Sequence, residues 1–364
     1  MNTDQNGSTT TVNLTELMSL MEAGRVIPVI SNSFRIEQIF REDEELFSLM
    51  LGVPEFYDEV RTFDQQLTKK WAAVINYPMS DDHNLARVVQ YRQVESGSPE
   101  GARRQYIRYL IDRLLKNNEN DGKYGDTVAR LRSLSKTPLF SDVVERLGYP
   151  RLLEGMDDSL RLLAQLPVRI YITTSFSNFL ERALEAEDKK PRTQLCFYRG
   201  GKTSIKPEHY PDRDLYPTES APAVVHLFGL EDYTNTLVLS EDDYINFLLN
   251  AVEDINQPEV FPHYLRTALQ ESVLLLMGYH LRDWDFRTLF RFLLKIRKIA
   301  EGDLEPSIAI QFNPSLGKKE NEIRSRLYLE TYFGKRNFRV KWAGTEEFVF
   351  EIWKTWSNYV QGQL

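Results

Sequence analysis

The chain has 364 residues, with 45 Lys and Arg against 53 Asp and Glu, a formal net charge of −8 and one cysteine. The acidic balance argues against sequence-independent binding to a nucleic-acid backbone, which needs concentrated cations. The lone Cys196 excludes an internal disulfide framework and a multi-cysteine zinc module, and apolar runs such as SVLLLMGY fall far short of a bilayer span, so the chain reads as soluble, cytoplasmic and without a membrane partner.

Residues 1–12 are polar and read as a disordered N-terminus, neither signal peptide nor anchor. NLTELMSLMEAG follows as an amphipathic helix, with Asn13 or Thr15 as cap and Gly24 as stop. RVIPVIS, from Arg25 to Ser31, reads as a short buried strand in which Pro28 favours a sheet edge or strand start. It breaks into Ser31-Asn32-Ser33, a small-residue turn without glycine, where nucleotide-binding α/β folds carry a glycine-rich phosphate loop.

From residue 36 to 165 the apolar spacing is helical in segments such as TKKWAAVINY, HNLARVVQYRQV and ARRQYIRYLIDRLLKN, separated by Gly97, Gly122, Gly125 and Pro138. There is no fixed repeat, so this part reads as a helical insertion within a domain built from 13–35 and 166–364. Strand and helix then alternate. Val168–Thr173 reads as a strand, a polar turn follows, and a helix starts with Asn178 as its cap. TQLCFY and PAVVHLFG are strands, and LVLSEDDYINFLLNAV is a strand fragment feeding a helix capped by Ser240 with Asp243. SVLLLMGYHLRDWDFRTLFRFLLKI is strand, turn and helix; PSIAIQF and FRVKWAG are strands; TEEFVFEIWKTWSNYV closes as a helix with Thr345 as cap. The alternation predicts a Rossmann-like α/β fold with a doubly wound, mostly parallel sheet. Its ligand crevice would lie beyond the C-terminal strand ends, where the turns SNSF, TTSFSN, HLFG and GYHLRDWD converge.

In this order the four turns resemble the sirtuin-like family, specifically the bacterial, NAD-consuming branch found in antiphage defence systems. ITTSFSNFLERAL is similar to that family's ITTN-aromatic-D-xx-LE-x-AL pattern, VVHLFG to HLHG, and GYHLRDWDFR to GYSLxDWDFR. The resemblance implies an NAD site of Ser31, Asn32, Ser33, Thr174, Ser177, Gly278, His280 and Asp283, with His226 and Ser175 in the catalytic positions. Several of these depart from the pattern. The first turn lacks the glycines that let a backbone approach a pyrophosphate, Ser175 stands where the family has its catalytic asparagine, and Ser177 stands where it has an aspartate. His280 replaces a small serine.

Three readings follow: a sirtuin-like protein with a degenerate NAD site, acting as a binding, scaffold or sensor component of a bacterial defence or signalling system; a divergent NAD glycohydrolase using His226; or a sensor of another nucleotide. Protein deacylation is the least expected activity, because the four-cysteine zinc module of sirtuin deacylases is missing. H-x-x-D-x-D at His280, Asp283 and Asp285 is not a specific metal signature, so no metal site is assigned. Asp157-Asp158 and Asp242-Asp243 read as solvated or capping carboxylates, Cys196 as packed, and the run Lys295–Lys298 as a helix end favoured by its dipole. Trp342, Trp353 and Trp356 read as core or as an interaction surface, and the expected partners are other proteins or further copies of the chain.

Overall fold

The computed structural model describes residues 13–43, 62–152, 157–196, 205–254, 256–257, 260–281, 283–297, 305–311 and 319–362. Residues 1–12 and Lys298 lie outside these. The strands are β1 (Val26–Ile30), β2 (Ile170–Thr173), β3 (Arg192–Leu195), β4 (Ala223–His226), β5 (Val273–Met277), β6 (Ser307–Gln311) and β7 (Phe338–Trp342). They form one all-parallel sheet in the order β3-β4-β2-β1-β5-β6-β7. In β1, β2, β4 and β5 every residue is buried, as continuous apolar strands require when helices cover both faces. The expected Rossmann-like fold is the fold observed.

The first helices are α1 (Leu14–Glu22), α2 (Asn32–Phe40), α3 (Phe63–Val74), α4 (Leu85–Ser96), α5 (Pro99–Asn117), α6 (Gly125–Arg132), α7 (Phe140–Arg146), α8 (Ser159–Gln165) and α9 (Phe179–Glu185). Then come α10 (Glu241–Asp254), α11 (His263–Glu271), α12 (Trp284–Arg297), α13 (Lys319–Gly334) and α14 (Thr345–Val360). The period-two alternation of the strands sends side chains to two cores. Val26, Ile30, Tyr171 and Leu275 pack with Trp71, Leu110, Phe140, Leu163 and Phe348. Ile27, Val29, Ile172 and Leu274 pack on the other face with Phe247, Leu265, Phe290 and Phe333. The helices α3 to α7 therefore share a core with the sheet.

Ion pairs tie these helices to the rest. Arg35 holds Asp158 at 2.8 Å and Arg113 holds Asp43 at 2.6 Å, while Arg103 grips Asp243. The Glu231 carboxylate accepts from the backbone N–H groups of Phe140 (2.6 Å) and Ser141 (3.1 Å) at the start of α7, where the helix dipole favours an anion.

Local capping follows the chemistry of the residues. Asn13 caps α1 by accepting from Glu16 N–H, and Gly24 adopts φ +71° after it. Ser240 and Asp243 exchange side-chain and backbone bonds at 3.2 and 3.0 Å, and Asp158 caps α8. Four details differ from the sequence reading. Pro28 is in a central strand, not at an edge. Its strand pairs with β2 only at Val29↔Ile172 and Ile30↔Thr173, so the residue without an N–H sits just ahead of that ladder. Leu237–Leu239 joins no strand. The N-cap of α14 is Gly344, whose N–H donates to Glu347, with Thr345 one residue inside. Asn178 stands at the N-cap of α9, but its side chain accepts from Arg182 Nε instead of capping.

Of the tryptophans, Trp342 donates to Glu330 and Trp353 to Gln165, and Trp356 stacks on Tyr359 at 5.7 Å; Trp353 and Trp356 pack on the first core. Arg297 is buried and donates to the carbonyls of Leu269 and Ser272 at the C-terminal end of α11. Among the described residues no helix is long and apolar enough to cross a membrane.

Candidate functional site

The turn after β1 is tied to its surroundings. Ser31 caps α2, accepting from Phe34 N–H at 3.3 Å, and its hydroxyl donates to the Gly278 carbonyl. Gly278, in the turn after β5, has φ +76°, and a Cβ there would lie 2.6 Å from Ser31 Oγ and 2.8 Å from Phe34 Cβ. The close approach that glycine permits is thus used between two turns of the protein, not toward a ligand. Ser33 Oγ donates to the Asp64 carboxylate, which α3 brings to the first turn of α2. A helix N-terminus attracts an anion; here a carboxylate of the chain itself stands there.

The turn after β2 is equally engaged. Ser175 N–H donates to Thr173 Oγ1 at 2.9 Å, Ser175 Oγ donates to Asn32 Oδ1 at 3.2 Å, and the hydroxyls of Ser175 and Ser177 bond each other at 2.9 Å. Thr174 Oγ1 meets the Tyr279 hydroxyl at 3.1 Å.

At the end of β4, His226 is fully buried. Its Nδ1 lies 3.0 Å from the Ser175 carbonyl and its Nε2 2.8 Å from Glu181 Oε1. Both partners only accept, so the ring satisfies them by carrying a proton on each nitrogen. Burial alone would lower its pKa, but the charge and hydrogen bond of Glu181 and the Ser175 carbonyl raise it. Burial likewise opposes the ionised Glu181, yet His226 holds that carboxyl below its ordinary range. A histidine engaged in this way has no free nitrogen to act as a base.

A cavity of about 290 Å³ opens between the C-terminal rim of the sheet and the helices α3, α4 and α10. Of the residues assigned from sequence, Asn32, Ser33, Thr174 and Asp283 line it; Ser31, Ser175, Ser177, His226, Gly278 and His280 do not. Ser31, Ser175, Ser177 and Gly278 shape its walls from behind, and His280 bonds Glu37 at 3.3 Å. Sequence reasoning missed Asp64, Thr68, His83, Tyr244, Trp284 and Asp285, as well as Phe176 and Phe228. Four of these had a signal. Phe176 lies inside the quoted ITTSFSNFLERAL stretch, Phe228 stands two residues after His226, and Trp284 and Asp285 lie inside GYHLRDWDFR, where Asp285 enters only as a candidate metal ligand.

Electrostatically the cavity is acidic. Burial, followed by the charges of Glu37 and Asp283, pushes Asp64 up to about 7 against the opposing bond from Ser33. Burial and the neighbouring Asp283 raise Asp285 to about 8, and burial also raises Asp283. For His280, burial alone would lower the pKa, but the bond to Glu37 and the charges of Asp283, Glu37 and Asp64 raise it to about 9. Among the described residues no Lys or Arg lines the cavity. Three carboxyl groups and no facing Lys or Arg make this wall a poor fit for a diphosphate, which cations hold most strongly, although Asn32, Ser33 and Thr174 offer neutral donors. Nor are three or more His, Cys, Asp or Glu side chains grouped to hold a metal ion among the described residues.

No curated protein matches the chain. Residues 169–335, from just before β2 to just past α13, match the family model described as a SIR2-like domain, a NAD-related type of domain; β1, its serine turn and the helices α3 to α7 lie outside the match.

Proposed function

We propose that this chain is a SIR2-like protein whose rim site has lost NAD cleavage and works as a ligand-binding, sensory element, within a bacterial defence or signalling assembly of the kind the four turns resemble. The observation that carries the reading is the engagement of the catalytic positions. His226 is closed off between Glu181 and the Ser175 carbonyl, and Ser33 holds the Asp64 carboxylate where a diphosphate would approach. NAD cleavage needs groups that orient a nucleophile and stabilise a cationic ribosyl centre, and removing one such group costs on the order of 10²–10³ in rate. Ser175 and Ser177, bonded to each other, supply neither an amide nor a carboxylate there.

The test is incubation of the purified chain with NAD while free nicotinamide is followed. The expected result is no release above the buffer control, for wild type and His226→Ala alike. Release by the wild type that His226→Ala abolishes would restore the glycohydrolase reading.

A further inference from the structure

The cavity wall narrows what the site binds. Asp64, Asp283 and Asp285 all face it; of the two histidines beside them, His83 sits 3.8 Å from Asp82 and His280, behind the wall, bonds Glu37 at 3.3 Å. Asp64 Oδ1 is buried without a hydrogen-bond partner. The aromatic part of the wall is contiguous: Tyr244 and Trp284 lie stacked at 6.0 Å and 17°, and Phe228 meets Tyr244 edge-on at 5.4 Å.

These groups select by charge. At mildly alkaline pH, where these buried carboxyl groups release their protons, an anion entering the cavity meets like charge and no Lys or Arg among the described residues. A neutral apolar molecule would strip water from the carboxylates and leave them unpaired, which is costly. A cation is attracted by both surfaces, by the carboxylates through their charge and by the rings through the negative potential of their faces. Size selects as well. About 290 Å³ is at the small end for ligand pockets and suits a compact molecule, not an extended dinucleotide.

Resting on the functional reading above, we propose that the cavity takes a compact organic cation, a quaternary ammonium or a pyridinium ring, held between Phe228, Tyr244 and Trp284 on one side and Asp64, Asp283 and Asp285 on the other.

The experiment is calorimetric titration of the full chain at mildly alkaline pH. Choline is compared with its neutral carbon isostere 3,3-dimethylbutanol, 1-methylnicotinamide with neutral nicotinamide, and both cations with ADP-ribose. At least one cation is expected to bind about tenfold or more tighter than its neutral counterpart. Asp283→Asn, which keeps shape and removes charge, should abolish that preference while circular dichroism stays that of the wild type. The preference should also shrink with added salt, which tests the charge without any variant. Cations binding no tighter than their neutral counterparts, or ADP-ribose binding tighter than either cation, would overturn the assignment. Either result leaves the functional reading standing, because nicotinamide release alone decides that.

Discussion

At the scale of single residues, the site is governed by Gly278 and His226. Gly278 adopts a left-handed conformation and lies so close to Ser31 and Phe34 that a methyl group has no room. Gly278→Ala should therefore destabilise the protein by about 2 kcal/mol or more, read by urea unfolding. Ser31→Ala in the same chain should recover part of the loss, so the two substitutions are not additive. A cost near zero for Gly278→Ala would refute the packing account. His226 teaches a different lesson. Its place at the end of a strand, in a family-like motif, was legible, but its surroundings were not. Glu181, 45 positions earlier in the chain, occupies the ring's Nε2 and favours its protonated form. Phe228 shows that the cavity-facing residue of that turn comes two positions later.

At the scale of elements, the strands were legible because parallel strands buried on both faces are short apolar runs, and every such run from VIPVI to SIAIQ proved to be one except the fragment at Leu237–Leu239. Caps were legible where a side chain accepts locally, as at Asn13 and Ser240. The part of the cavity that α3 and the start of α4 contribute was not legible, because no local pattern tells which helix face meets the sheet rim. Asp64 sits in the first turn of α3 and carries no motif.

The consequence of bringing α3 against the turn after β5 is a carboxylate cluster with an energetic cost. Asp285 titrates at about 8 when folded, raised by burial and by Asp283 and Asp64, with His280 opposing, against about 3.9 when unfolded. Across that interval the folded state binds a proton that the unfolded state has released, so this site lowers stability as pH rises and levels off above its folded value. Asp64 adds the same trend up to about 7. Asp285→Asn removes one contribution, and the variant should gain on the wild type between mildly acidic and mildly alkaline pH, by a few degrees in Tm. An unchanged difference at both ends would rule the burial account out.

At the scale of the whole molecule, the sheet is built of well-paired blocks joined by thinner ladders. Among the described residues β3, β4 and β2 are joined by four register pairs at each step, and β1 pairs with β5 through five. Between those two blocks there are only two, Val29↔Ile172 and Ile30↔Thr173, with the Thr174 N–H donating to the Ile30 carbonyl at 3.0 Å as the last rung. The cavity lies directly over this seam, with Ser33 from one side and Thr174 from the other in its wall. A molecule seated there acts as a staple across one of the two thinnest joints of the sheet, the other being the two-pair ladder between β5 and β6. Amide hydrogen exchange makes that visible. In the free protein the Thr174 amide should exchange ahead of amides inside the blocks, such as that of Leu276, and a bound cation should slow Thr174 more than any amide of β6 or β7. Occupancy of the pocket is then readable in the backbone of the sheet itself.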